Sequence, residues 1–252
     1  GARDKCPVYA TFGFGFYRAE ELAEAATKWQ AKGFNSLKMT VGNQALARRD
    51  EPRLLGDVIL EDANRVETVR MAAGPEAELF IDANCSLDLY HARQLCQMIE
   101  PFHIEFFEEP ITQNDIRHMA ELRSQTTIRL ACGQNEGQAY RFRDMMIAGA
   151  VDIIQPNVAI TGGFTQCQKI AALANSFNIS VDNGGAWPFF NQHLQAGLSN
   201  GGLVEYHYSS VEVCKRLYIG LPEPKQGWLT MTDAPGLGFE LNTAALPHFE
   251  ID

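Results

Sequence analysis

The sequence predicts an α/β barrel of eight repeated strand–helix units, and three observations support this prediction. The chain has 252 residues, a length at which one such barrel forms a single domain. Short apolar runs rich in Val, Ile and Phe alternate with amphipathic stretches, which is typical of a parallel sheet covered by helices. Polar residues that close these runs recur at intervals of 23 to 26 residues, the length of one strand, one helix and two short loops.

The elements follow in order along the chain. Strands are predicted over Val8–Phe12, Ser36–Thr40, Glu78–Asp82, Ile104–Glu108, Ile128–Ala131, Val151–Gln155, Ile179–Asp182 and Leu203–Tyr206. Helices are predicted over Ala19–Ala31, Leu87–Ile99, Ile116–Leu122, Ala139–Ile147 and Thr165–Ser176. The polar segment Asn43–Leu60 is interpreted as a loop insertion, and the prolines after Tyr206 predict an irregular C-terminal tail. Because no linker divides the chain, we expect residues 1–252 to form one barrel domain.

Composition excludes several classes of protein. The formal net charge is −10 and no long Lys/Arg run occurs, so the chain is not expected to bind nucleic acid. No apolar run approaches the ~18 residues of a membrane span. The six cysteines contain no CxxC pair, so we expect reduced thiols and a cytoplasmic location.

Charged side chains at the strand ends indicate a functional site, because the carboxyl ends of barrel strands meet at the mouth. Asp82 and Glu108 each end an apolar strand, and two carboxylates on adjacent strands suit Mg²⁺. Lys38 is expected beside them, either as an ion-pair partner or as a base. The alternative is that the two acids are buried and capped by neighbouring amides or by Lys38. The glycine pairs Gly184-Gly185 and Gly201-Gly202 are weak indications of phosphate binding.

The sequence resembles the enolase superfamily, and within it the mandelate racemase-like acid-sugar dehydratases and racemases. The motifs that carry the resemblance are Arg3–Ala10, Gly33–Gly42, Ile81–Asn84, Glu108–Pro110, Gly133–Asn135, Ile154–Asn157, Gly162-Gly163 and Asn200–Tyr206. The resemblance implies a modified (β/α)₇β barrel of the TIM type that a capping domain precedes. We expect the capping domain to be absent from this chain and to come from a missing segment or a partner subunit. A homo-oligomer is also expected.

The resemblance also implies a chemistry, the Mg²⁺-assisted removal of a proton α to the carboxylate of a small acid such as a sugar acid. Three groups of site residues follow from it. The expected metal ligands are Asp82, Glu108 and Gln134. The expected catalytic residues are Lys38, Asn157, Asp182 and Glu205. Substrate contacts are expected from Thr40, Asn84 and Asn183.

Four positions depart from the family's pattern. The second lysine of the paired-lysine motif falls on Thr40, the third metal-binding acid on Gln134, and the Asp–His dyad on Asn157 and Gly184. Loss of the dyad favours a one-base reaction. The first hypothesis is therefore a lyase that dehydrates a sugar acid through an enediolate, with Lys38 as the base.

Several alternatives stay open. Gln134 could bind Mg²⁺ through its carbonyl, or Glu136 could replace it, and Asp182 could act as an acid. The chain could instead be a racemase or isomerase of the same family, or a degenerate member that binds an acid without converting it. In a third account it is a different barrel enzyme, with Lys38 as a Schiff-base nucleophile and the glycine pairs holding phosphate.

Overall fold

A ring of parallel strands surrounded by helices forms the centre of the molecule. In the computed structural model, which describes residues 2–42 and 54–249, the first seven strands pair in chain order and the eighth pairs with the first. The ring closes where the chain enters β8: the Val181 N–H donates to the Asn200 carbonyl (3.0 Å), and the Gly202 N–H donates to the Val181 carbonyl (2.8 Å). The predicted α/β barrel is therefore confirmed.

The bounds of the elements are as follows. The barrel strands are β1 Lys5–Phe12, β2 Ser36–Thr40, β3 Glu78–Asp82, β4 Ile104–Glu108, β5 Arg129–Cys132, β6 Ile153–Ile154, β7 Ser180–Val181 and β8 Val204–His207. The helices are α1 Ala19–Ala31, α2 Leu55–Ala73, α3 Leu89–Ile99, α4 Ile116–Arg123, α5 Ala139–Ile147, α6 Gly163–Ser176, α7 Pro188–Gly197 and α8 Tyr208–Leu217. Three short strands follow, β9 Tyr218–Ile219, β10 Trp228–Thr230 and β11 Glu240–Leu241.

Helix α2 corrects the predicted loop over Asn43–Leu60. Residues 43–53 lie outside the described residues, but Leu55–Leu60 form the first turns of this helix. The buried face of α2 is not a continuous apolar stripe, because it carries an ion pair between Asp62 and Arg65 (2.8 Å). Apolar periodicity therefore did not indicate this helix. Arg65 also donates to the carbonyls of Thr40 and Gly13, so the charged pair ties α2 to the loops at the barrel mouth.

The predicted irregular tail also needs correction. It begins with α8, whose inner face buries Val211 and Cys214. Strand β10 then pairs antiparallel with the start of β1, with Leu229 opposite Cys6. Helix α8 ends before the first of the prolines, so the prolines mark only the later part of the tail.

Two packing layers make up the core. The barrel interior is filled by aromatic side chains, with the Phe80 and Phe106 rings stacked at 4.3 Å and Tyr9 against both. A larger apolar layer lies between the strands and the helices. All six cysteines lie in the described part of the chain and are free thiols. Within residues 2–42 and 54–249, no helix is long and apolar enough to cross a membrane.

Candidate active site

A buried lysine and three acids meet above the aromatic layer, at the carboxyl ends of the strands. Asp82 and Glu108 end β3 and β4 and lie opposite each other in the strand register. Lys38 comes from β2 and Glu205 from β8, the strands on either side of β1. The strand pairing thus brings together side chains that are far apart in sequence. We call these four residues the lysine–acid cluster.

The Lys38 ammonium group lies at the centre of the cluster. Its Nζ is 2.9 Å from Glu205 Oε1 and 3.5 Å from Asp82 Oδ2, and it donates to Glu108 Oε2 at closer range. Nζ also lies 5.1 Å from the centre of the Tyr9 ring. All these side chains are buried, so one ammonium group is shared by three carboxyl groups in a medium that screens charge weakly.

Burial favours the neutral form of each group, so it raises the pKa values of the acids and lowers the pKa of Lys38. It raises the pKa of Asp82 to about 6 against the opposing effect of Lys38. Burial likewise raises the pKa of Glu108 well above its ordinary range. For Lys38, burial lowers the pKa, but Glu108 and Glu205 outweigh it and the net pKa is well above that of a free lysine. Lys38 is therefore a cation in this arrangement, and the acids compete for its charge.

Glu205 differs from the other two acids because it has more donors. Burial opposes its ionisation, but Lys38, His207 and the Thr11 hydroxyl outweigh that effect and hold its pKa below the ordinary value. The Thr11 hydroxyl donates to Oε1 at 2.6 Å, and the Ala186 backbone N–H donates to Oε2 at 2.6 Å. Glu205 is thus the ionised partner of Lys38.

Asp82 is surrounded by amide donors. The Asn84 backbone N–H donates to Oδ1 and the Asn84 side chain to Oδ2, both at 2.8 Å. Gln134 Nε2 bridges Asp82 Oδ2 and Glu109 Oε2, each at 3.2 Å. Asn84 is exposed beside the buried carboxylate, so it lies where a ligand at the mouth would meet it.

Glu109 is a buried acid that the sequence reasoning did not single out. Its backbone has a φ of 42°. Its carboxylate accepts hydrogen bonds from Gln134, from Asn114 (3.0 Å) and from Asn135 (2.7 Å). Strict alternation along β4 would point this side chain away from the mouth, which is why the pattern missed it. Glu109 orients Gln134 so that its amide nitrogen faces the acids.

The predicted site residues Asn157 and Asn183 hold the loop between β7 and α7. Asn157 Nδ2 donates to the carbonyls of Gly184 (2.8 Å) and Gly185 (2.9 Å). Asn183 accepts from the Glu205 backbone N–H (3.1 Å) and donates to the Gly184 carbonyl (2.9 Å). Both side chains bond to the backbone of the loop that places the Ala186 N–H on Glu205.

Three other candidates lie around the cluster. The Asp182 carboxylate accepts from the Leu203 backbone N–H (2.7 Å) at the start of β8, and burial raises its pKa to about 6. The Thr40 hydroxyl donates to the Gly13 carbonyl (3.2 Å). Glu136 forms an ion pair with Arg141 (2.9 Å), so its charge is already balanced where it stands.

The donor set fits a hard divalent cation in its chemistry. Three carboxyl groups share a single ammonium, and burial raises the pKa values of Asp82 and Glu108. Among residues 2–42 and 54–249, no three His, Cys, Asp or Glu side chains come together as a metal site. An amide would therefore complete the set. Gln134 would offer its oxygen only after a rotation of the amide, whose Nε2 now donates to Asp82 and Glu109.

The fold and these residues define a class of protein: an α/β barrel with a lysine–acid cluster at the carboxyl ends of its strands. Residues 21–245 match the family described as enolase C-terminal domain-like, and the chain belongs to this family. The solved structures it resembles include a mandelate racemase/muconate lactonizing enzyme from a marine actinobacterium, with a TM-score of 0.83 at 29% identity over 95% of this chain and 65% of that one.

The similar proteins of named activity include dehydratases of sugar acids and a lactone cycloisomerase. The chain is 27% identical to D-gluconate dehydratase of Thermoproteus tenax over 99% of its own length and 50% of that protein. It is also 27% identical to D-galactarolactone cycloisomerase of Agrobacterium fabrum, over 99% and 66%. L-talarate dehydratase of Polaromonas sp. JS666, complexed with Mg and L-glucarate, superposes with a TM-score of 0.85 at 27% identity over 97% and 64%. The chain thus spans half to two thirds of these relatives.

Proposed function

We propose that this barrel carries the reaction centre of an enzyme that removes the proton α to the carboxylate of a sugar acid and eliminates water. The observation that carries the proposal is the lysine–acid cluster, in which one buried ammonium group faces three carboxyl groups at the barrel mouth. Relatives named as dehydratases of sugar acids support the substrate class.

Asp82, Glu108 and Gln134 would hold Mg²⁺ in this proposal. When bound, the cation lowers the energy of the negative charge that develops on the substrate carboxylate. Asn84 and Thr40 are proposed to contact the substrate, and Glu205 keeps Lys38 in place through the 2.9 Å ion pair. Asn157 and Asn183 act by fixing the loop that carries the Ala186 N–H.

Lys38 is the proposed base, and it can act only in its neutral form. Its raised pKa keeps it protonated in the present arrangement, so it must lose a proton before it can accept one from carbon. The α C–H bond then breaks, the proton passes to Nζ, and the electron pair forms an enediolate. The C–O bond at the β carbon then breaks, and Nζ returns the proton to the leaving hydroxyl to give water. The remaining enol becomes a 2-keto acid.

A second candidate function is binding of an acid without turnover. It is favoured by the observation that Lys38 contacts three carboxyl groups, because an ammonium group held protonated by such contacts has no lone pair to accept a proton from carbon. A racemase or isomerase is the third candidate, since a D-galactarolactone cycloisomerase is among the relatives.

One experiment separates these functions. The protein with MgCl₂ is incubated in D₂O with D-gluconate, D-arabinonate and galactarate, and NMR follows both deuterium exchange at the α carbon and formation of 2-keto acid. Dehydration predicts a 2-keto acid from wild type, with solvent deuterium at the carbon that lost the hydroxyl, and no product from Lys38→Met. Exchange or a rearranged product without keto acid favours an isomerase. Binding by calorimetry without either signal favours the binding function, and no binding contradicts the proposal for these acids.

A further inference from the structure

We infer that the Tyr9 hydroxyl is a positioning group, which holds one N–H of Lys38 away from Asp82 so that this carboxylate stays available to a cation. The inference rests on the proposed function, because the cation at Asp82 belongs to that proposal. Tyr9 is fully buried. It lies on β1, between the strand that carries Lys38 and the strand that carries Glu205.

The ammonium group of Lys38 has fewer hydrogens than it has oxygen neighbours. Glu108 Oε2 and Glu205 Oε1 are the nearer two. Asp82 Oδ2 and Tyr9 Oη both lie 3.5 Å from Nζ, and the contact with Tyr9 is a hydrogen bond that Lys38 donates. An ammonium group has three N–H donors. With two of them directed at the nearer acids, Asp82 and Tyr9 compete for the third.

The Tyr9 hydroxyl is fixed as an acceptor toward Lys38. It donates its own hydrogen to the Asn183 carbonyl at 2.6 Å, and burial raises the pKa of Tyr9 well above its ordinary value, so this hydrogen is retained. The ring packs against Phe80 and Phe106, with centroids 5.4 Å and 6.1 Å away. The hydroxyl oxygen therefore offers its lone pairs to Nζ from a fixed place.

Asp82 does not need the third N–H of Lys38. Its Oδ1 accepts from the Asn84 backbone N–H, and its Oδ2 accepts from the side chains of Asn84 and Gln134. A further hydrogen bond from the ammonium group would occupy a lone pair that a cation requires. The Tyr9 hydroxyl thus acts on the cation site through Lys38, without touching the cation.

The test compares two buried tyrosines. Tyr9→Phe removes the hydroxyl and keeps the ring. Tyr206→Phe is the matched control, because Tyr206 is also buried and its hydroxyl also donates to a side chain, Glu223 Oε2 at 3.4 Å, but it packs in the layer between strands and helices. In titration calorimetry with MgCl₂, we expect about threefold to tenfold weaker binding to Tyr9→Phe, since Asp82 then accepts the third N–H. Tyr206→Phe should change the affinity less than about twofold, and an unchanged affinity in Tyr9→Phe would overturn the inference.

A second background separates positioning from a general effect on the structure. Lys38→Met has no ammonium group, so adding Tyr9→Phe to it should change the Mg²⁺ affinity less than about twofold. An equal loss of affinity in wild type and in Lys38→Met would show that the hydroxyl does not act through Lys38, and it would overturn the inference.

Failure of the proposed function is distinguishable from failure of this inference. Wild type that binds no Mg²⁺ contradicts the proposed cation site. The metal-free protein then decides about Tyr9, as it also does if Lys38→Met does not fold. Urea unfolding is measured for wild type, Tyr9→Phe, Asp82→Asn and the double variant.

Asp82→Asn removes the charge that competes for the third N–H. The loss of the folding equilibrium constant caused by Tyr9→Phe should therefore be about threefold larger in Asp82→Asn than in wild type. An equal loss in both would mean that Tyr9 and Asp82 do not share this hydrogen, and it would overturn the inference.

Discussion

At the scale of single residues, Lys38 balances acids that would otherwise repel one another. Its ammonium contacts Asp82, Glu108 and Glu205 inside the barrel, and removal of one partner from a buried ion pair leaves uncompensated charge. The strand-end pattern predicted that Lys38 would lie beside Asp82 and Glu108, the family resemblance added Glu205, and the structure brings the four side chains together. Their catalytic roles stay predictions.

Lys38→Met should lower the free energy of unfolding of the metal-free protein by about 3–5 kcal/mol, the usual cost of breaking a buried ion pair. It should also increase the stabilisation by Mg²⁺, because the ammonium no longer competes for Asp82 and Glu108. Thermal unfolding with and without MgCl₂ measures both effects. Lys28→Met is the control, since Lys28 pairs with Glu24 on the surface. No Mg²⁺ response in either protein would argue against a cation site at these acids, and an equal stabilisation of both would argue against competition by the ammonium.

The buried carboxyl group of Asp182 should make the free energy of unfolding depend on pH. Burial raises its folded-state pKa to about 6 from 3.8, so the folded protein holds a proton that the unfolded chain releases near pH 4. The contribution of Asp182 to stability is therefore lost as pH rises from about 4 to 6, by about 3 kcal/mol in total. Asp182→Asn should show no such loss, and the difference in unfolding free energy from wild type should grow across this window in urea titrations. A constant difference from pH 4 to 7 would contradict the assignment.

At the scale of elements, the sequence predicted the bounds of three barrel strands correctly but missed the start of helix α2. Strands β2, β3 and β4 were predicted with their observed bounds, and a polar residue ends each of them. Helix α2 was missed because the Asp62–Arg65 pair lies on its buried face. A period of apolar residues cannot reveal a helix that buries charge, since the partners of such charges are known only from the fold.

The loop between β7 and α7 depends on Asn191, a residue that carried no sequence signal. Asn191 is fully buried on α7. It accepts from the Val158 N–H (2.9 Å), donates to Asn157 Oδ1 (3.0 Å) and donates to the Trp187 carbonyl (3.1 Å). It therefore joins the loops after β6 and β7 and supports the position of the Ala186 N–H on Glu205.

Asn191→Ala should destabilise the protein by about 2–3 kcal/mol, because it leaves buried backbone groups without partners. Amide hydrogen exchange should accelerate at Val158 and Ala186, while the amides of β3 keep their protection. Asn64→Ala, at an exposed position of α2, is the control and should change neither. Uniform acceleration across the barrel in Asn191→Ala would show a general loss of stability instead of a local effect on this loop.

At the scale of the whole molecule, the barrel was predictable because its repeat is regular, and the site was predictable only in part. Residues that end strands, such as Asp82 and Glu108, follow from the repeat. Glu109 and Asn191 do not, because their positions depend on a backbone turn and on contacts between loops. The orientation of Gln134 is likewise set by Glu109, a neighbour in space that no spacing rule could identify.

The tail is the last element of the whole molecule that the sequence underestimated, and it should be needed for stability. Strand β10 extends the sheet beyond β1, and Leu229 is fully buried opposite Cys6. Leu229→Ala should therefore cost about 2–5 kcal/mol, as buried leucines do. Leu241→Ala, at a position that is 46% exposed, should cost less than about 0.5 kcal/mol. Urea unfolding of both variants measures the difference. Equal small effects would mean that the tail lies on the barrel without stabilising it, whereas the expected contrast would make Leu229 part of the barrel's core.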